Sequence, residues 1–143
     1  MKIEGLLKIG IAVKDLSKAV DCFAQVLGTA PGEIVTYGPY EMRYCLFEVG
    51  DFFLELMEPT TANGPIAKFI ESHGEGLQHL SIRVSNIEEA MAKLKEKGFR
   101  FVQEAPVREN VAFGTAKFTF LQPQLCHGVL LQLVEVQQAT NTC

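Results

Sequence analysis

Residues 77–94, LQHLSIRVSNIEEAMAKL, restart a pattern already written at residues 6–23, LLKIGIAVKDLSKAVDCF. Each stretch opens on apolar and β-branched residues, passes a polar N-cap candidate (Asp15, Asn86) and continues as an apolar stripe at helical spacing. The stripe is Leu16, Ala19, Val20, Phe23 and Leu27 in the first copy, and Ile87, Ala90, Met91 and Leu94 in the second, with Gly28 and Gly98 as stops. A shift of 71 residues carries Ile11 onto Ile82, Val13 onto Val84, Leu16 onto Ile87 and Ala19 onto Ala90. Further along, a shift of 77 carries Leu54 onto Leu131, Leu56 onto Leu133 and Glu58 onto Glu135. Matches at a fixed offset in two separate places indicate one structural unit written twice.

Around these anchors the chain reads as mixed strands and helices. Strands are expected at 6–13, at 42–49 and 52–58 (a hairpin turning at Gly50-Asp51), and at 78–84, 99–104, 116–121 and 129–136. Gly- and Pro-rich residues 29–41 read as loop, as do 105–115, and 65–73 (PIAKFIESH) as a short helix with Pro65 in its first turn. The fold class is therefore α+β: two β-α-β-β-β modules in one domain spanning 1–137. Module one covers 1–60, a linker helix 61–75 and module two 76–137, and QQATNTC leads into a frayed tail at 138–143.

With 143 residues the chain is long enough for one domain with a substantial core, and 48% hydrophobic with 21% charged residues is a globular composition. Thirteen Lys and Arg against 17 Asp and Glu, with no basic run, disfavour nucleic acid as a partner. No apolar stretch approaches a membrane span, and Glu4, Lys8, Lys14 and Asp15 interrupt any signal-peptide core, so a cytoplasmic protein is expected. Cys22, Cys45, Cys126 and Cys143 form no CxxC pair and read as buried or incidental thiols.

The repeat also singles out chemistry. Lys8 and His79 occupy equivalent places in the first strand of each copy, and Glu55 (in FFLELM) and Gln132 (in VLLQLV) sit inside very apolar strands. Alternation points Glu55 and Gln132 away from their flanking leucines. An ionisable group so placed costs free energy unless it is paired, hydrogen-bonded or coordinated. Four such positions in a duplicated unit point to one shared polar centre.

The stretches KIGIAVKDLSKAV, FFLELMEP, GPIAKFIESHGEGLQHLSIRV, EEAMAKLKEKGFRF and FTFLQPQLCHGVLLQLVE together resemble the vicinal oxygen chelate (glyoxalase/bleomycin-resistance) superfamily, and within it methylmalonyl-CoA epimerase. The resemblance implies a curved mixed sheet around a cavity, a small-molecule substrate such as an acyl-CoA, and a homodimer. It also implies a divalent metal (cobalt, manganese, zinc or nickel) at Lys8, Glu55, His79 and Gln132. Here the chain departs from the family: Lys8 replaces a histidine and Gln132 a glutamate, while Gln78, Gln122 and Gln124 stand where other polar family residues are usual. Glu55 and His79 remain competent ligands and Gln132 a weak one, but a lysine ammonium has no lone pair to give.

Two functional readings follow, beside a third in which the chain is a structural dimer module with a vestigial cavity. In one, the chain is an epimerase-like isomerase or related acyl-CoA enzyme acting by α-proton abstraction, with Lys8, Glu55 and His79 as the reacting set and Gln132, Arg43 and Arg108 binding substrate. In the other it is a metal-free binder of a small molecule without turnover, Lys8 and Glu55 forming a salt bridge across the module interface. His73 and His127 read as a helix-end and a turn residue, the Phe-rich set as core or cavity wall, and Glu88, Glu89, Lys93, Lys95 and Glu96 as a solvated helix face.

Overall fold

A computed structural model describes residues 2–111 and 114–137. Its elements run β1 (Ile3–Ala12), α1 (Leu16–Leu27), β2 (Val35–Tyr37), β3 (Met42–Val49), β4 (Phe52–Pro59), α2 (Pro65–His73), β5 (Gly76–Val84), α3 (Ile87–Glu96), β6 (Val107–Val111), β7 (Gly114–Phe120) and β8 (Leu131–Gln137). The order β-α-β-β-β thus occurs twice, with α2 between the copies, which is the α+β arrangement the repeat implied. By compactness the described chain divides into two units, one of Lys8–His79 and the other of the residues before Lys8 and after His79. Both β1 and β5 run from one unit into the other.

In the Lys8–His79 unit the strands lie in the order β2-β3-β4-β1, with β1 parallel to β4 and the remaining pairs antiparallel. Val13, Leu16, Cys45, Phe47 and Leu56 form its buried core, with Ile11, Ala19, Val20, Phe23, Leu27 and Leu54 packed around them. In the second unit the order is β5-β8-β7-β6, with β5 parallel to β8 and the other pairs antiparallel. Val84, Ile87, Ala90, Met91, Phe101, Leu121 and Leu133 are its core. Repeat-related residues therefore do the same work in each unit: helix stripe against the apolar face of the parallel strand pair.

The helix starts are duplicated too. Asp15 Oδ1 accepts from Lys18 N at 3.1 Å and Asn86 Oδ1 from Glu89 N at 3.0 Å, so both N-caps act as expected. A second acceptor comes from the end of the sheet. Glu58 Oε2 takes the Leu16 N–H at 2.5 Å and Glu135 Oε1 the Ile87 N–H at 3.1 Å. Each of these carboxylates also meets a cation from the neighbouring strand. Arg43 Nη2 lies 2.8 Å from Glu58 Oε1, and Lys117 Nζ 3.4 Å from Glu135 Oε2. Gly28 closes α1 in the left-handed region (φ 64°), its N–H bonding to Ala24 O.

Three strand expectations need correction. The stretch 99–104 is not a strand: Phe101 turns into the core and makes only an isolated bridge to Leu121. The strand lies further on, at β6, inside a segment expected to be loop, and β2 likewise occupies part of the expected loop 29–41. β1 starts three residues earlier than expected, at Ile3. The expected tail 138–143, with Cys143, lies outside the described residues. Among the described residues no helix is long and apolar enough to cross a membrane.

Candidate functional site

Register in the Lys8–His79 unit decides which side chains meet. Lys8 lies opposite Phe53 and Gly10 opposite Glu55 on the parallel pair β1/β4, while Leu46 on β3 lies opposite Glu55 from the other side. Residues paired across strands share a face, so Lys8, Gly10, Phe53, Glu55 and Leu46 stand on one face of the sheet. The alternate residues, Ile11, Leu54 and Leu56, pack with α1 on the other. The polar face is thus set by the same alternation that builds the core.

On it, Lys8 Nζ donates to Glu55 Oε2 at 3.1 Å, and His79 Nε2 lies 3.5 Å from Glu55 Oε1. The side chains are deeply placed: Lys8 keeps 11% of its exposure, Glu55 4% and His79 4%. Gln78 Oε1 approaches His79 Nδ1 at 2.5 Å. Burial pushes the His79 pKa down from 6.5 to about 4; the Glu55 carboxylate opposes this and the Lys8 ammonium adds to it. The imidazole is accordingly neutral at neutral pH, and the Lys8–Glu55 pair balances its own charge. An ammonium has three donors and Glu55 takes one, so two are left for an oxygen arriving at the exposed edge of Lys8.

Gly10 stands between these groups. A Cβ built on it would collide with three atoms of the His79 ring. Gly10 does not have a positive φ, so the requirement there is for space and not for backbone freedom. This residue was missed by sequence reasoning, although a glycine inside the β-branched run KIGIAV is the signal of a close approach.

Gln132 belongs to the second unit, where it is buried opposite Ser81 and accepts the Ser81 hydroxyl at 2.5 Å. Arg43 pairs with Glu58, and the alternation that carries Leu46 and Glu55 to one face carries Arg43 and Glu58 to the other. It sits at the start of α1, not beside Lys8. Arg108 is an exposed residue of β6, opposite Lys117. Lys8 and Glu55 do form an ion pair, but within one unit, on adjacent strands, and not across the module interface as expected. His73 stacks on Phe69 (centroids 4.7 Å apart) and His127 ends a 3-10 turn with φ 56°.

Within the Lys8–His79 unit the donor set falls short of a divalent-metal site. Glu55 and His79 are the two strong donors, and a cation already occupies one oxygen of the carboxylate. Among the described residues no cluster of three or more His, Cys, Asp and Glu side chains is placed to hold an ion. Structural and catalytic sites ordinarily supply three or four protein ligands.

Residues 7–120 match the family described as the glyoxalase/bleomycin resistance protein/dioxygenase superfamily. The mitochondrial methylmalonyl-CoA epimerase of Bos taurus is 32% identical over 126 residues, covering 87% of this chain and 70% of the bovine one. The crystal structure of methylmalonyl-CoA epimerase from Mycobacterium tuberculosis superposes with a TM-score of 0.87 at 31% identity, covering 94% of this chain and 89% of that one. A methylmalonyl-CoA epimerase in complex with methylmalonyl-CoA and NH4+ superposes at 0.86 with 27% identity, covering 94% and 96%. The duplicated β-α-β-β-β order, the paired apolar cores and these matches agree, and the chain belongs to the glyoxalase/bleomycin resistance protein/dioxygenase superfamily, with homologues that are methylmalonyl-CoA epimerases.

Proposed function

We propose that this chain is an acyl-CoA isomerase of the methylmalonyl-CoA epimerase type whose centre uses the Lys8 ammonium where a metal ion would otherwise supply positive charge. The observation that carries the reading is the buried contact of Lys8 Nζ with Glu55 Oε2 at 3.1 Å, on the face where His79 meets the other carboxylate oxygen. A proton between a thioester and a carboxylate leaves when the developing enolate oxygen meets a fixed positive charge or donor, and a base stands nearby. The free donors of Lys8 hold the thioester oxygen, and the Glu55 carboxylate takes the α-proton. The C–H electron pair becomes the Cα–C double bond as the carbonyl π pair moves onto that oxygen; the carboxyl exchanges its proton with solvent and delivers one back to Cα as the carbonyl re-forms. His79, neutral at neutral pH, stands with Nε2 3.5 Å from the far oxygen of Glu55 and fills the space beside it. The related epimerase that carries methylmalonyl-CoA supports an acyl-CoA as the ligand class.

Gln132 is an amide and cannot act as a second base, so proton traffic runs through one carboxyl and α-hydrogen exchange outpaces stereoinversion. Gln132 and Arg108 remain proposed substrate contacts in this reading, whereas Arg43, held by Glu58 on the opposite face, is not one; a homodimer in the cytoplasm is the proposed setting. The test is to incubate chelator-treated protein with methylmalonyl-CoA in D2O and follow deuterium at C2 by mass spectrometry. Deuterium entering above the buffer control supports the enzyme. Tight binding of the thioester with no exchange transfers the chain to the second reading, a binding protein without turnover, which the self-neutralised Lys8–Glu55 pair also favours.

A further inference from the structure

We propose that Gly10 is a positioning residue for His79: the missing side chain leaves the room in β1 that the imidazole fills on its way to Glu55. The inference deepens the reading above and rests on it for its catalytic part. Gly10 lies opposite Glu55 in the β1/β4 register, and the ring of His79 lies where its Cβ would be. Three ring atoms would have to move, and they have little room, because the His79 side chain is only 4% exposed and its Nδ1 is already against Gln78 Oε1. Glycine inside a strand weakens it through backbone entropy and lost packing. With no positive φ, the backbone at Gly10 does not itself call for glycine. The strand accepts this weakness at the one position flanked by the imidazole and the carboxylate it touches. The smallest possible addition, one methyl group, therefore breaks the His79–Glu55 contact while leaving every reacting group in the sequence.

The experiment is a double-mutant cycle with Gly10→Ala, His79→Ala and the double variant. The chain has three histidines, so the His79 imidazole resonances are identified as those missing from His79→Ala. In Gly10→Ala those resonances shift away from their wild-type positions while those of His73 and His127 stay, and α-exchange falls to the level of His79→Ala. In the His79→Ala background the added methyl lowers neither the melting temperature nor the residual exchange, because the ring it would strike is gone. If Gly10→Ala fails to fold, a folded double variant carries the same conclusion. Unmoved His79 resonances in Gly10→Ala, or a double variant that is as damaged as the sum of the two single variants, overturns the proposal. Wild-type protein without any exchange defeats the enzymatic reading alone, since the resonances and melting temperatures still decide the role of Gly10.

Discussion

Replacing Lys8 with methionine keeps most of the stem that packs along β1 and deletes the charge. Glu55 then has 4% exposure and no cationic partner on Oε2. An exposed ion pair contributes at most about 1 kcal/mol, but removing one partner of a buried pair costs about 3–5 kcal/mol, because the other charge stays uncompensated in a poorly solvated place. Unfolding entropy of about 2.1 cal/mol/K per residue gives ~0.3 kcal/mol/K for 143 residues, so the melting temperature should fall by about 10–17 °C. Adding Glu55→Leu to Lys8→Met replaces the pair with apolar groups and should recover most of that loss. Calorimetric scans of wild type, Lys8→Met and the double variant measure both effects. A drop below about 3 °C for Lys8→Met, or no recovery in the double variant, would falsify the description of the pair as buried and mutually compensating.

Two further expectations rest on other contacts. Glu58→Ala and Glu135→Ala each leave a helix-initiating N–H without its carboxylate acceptor. Each should cost about 1–2 kcal/mol in urea unfolding, and a loss confined to one of them would contradict the duplicated device. His79, depressed to about 4 in the fold, binds its proton more readily in the unfolded chain. Its contribution to stability is therefore complete above pH 6.5 and is lost as pH falls from 6.5 towards 4, at up to about 1.4 kcal/mol per pH unit. His79→Leu should flatten that part of the stability–pH curve, and an unchanged slope would count against the buried neutral imidazole.

What was legible in the amino-acid order was what short-range periodicity and local capping determine. Asp15 and Asn86 bond to backbone three residues away, and the Gly50 turn (φ 58°) joins two strands by a local bend. The repeat exposed Lys8, Glu55, His79 and Gln132 because apolar strands make a polar intruder conspicuous. The contacts that were not legible are long-range. Glu58 and Glu135 stood out as matching residues, but the N–H groups they accept are 42 and 48 residues away. Residues 99–104 carry aromatic character that reads as strand, yet Phe101 is used as a core plug, whereas β6, VRENV, has the charged composition of an edge strand and reads as loop. Arg43 looked like a ligand clamp because nothing local shows that Glu58 lies directly across the hairpin from it. Gly10 escaped attention because the ring that needs its space arrives from β5.

The central claim is that Lys8 serves as the cation of this centre, and metal dependence of the exchange reaction tests it most directly. Protein stripped with chelator, verified metal-free by elemental analysis, should incorporate deuterium at C2 of methylmalonyl-CoA as fast as untreated protein, and Lys8→Met should not. Exchange that vanishes on stripping and returns with cobalt or manganese in the wild-type chain would contradict the account.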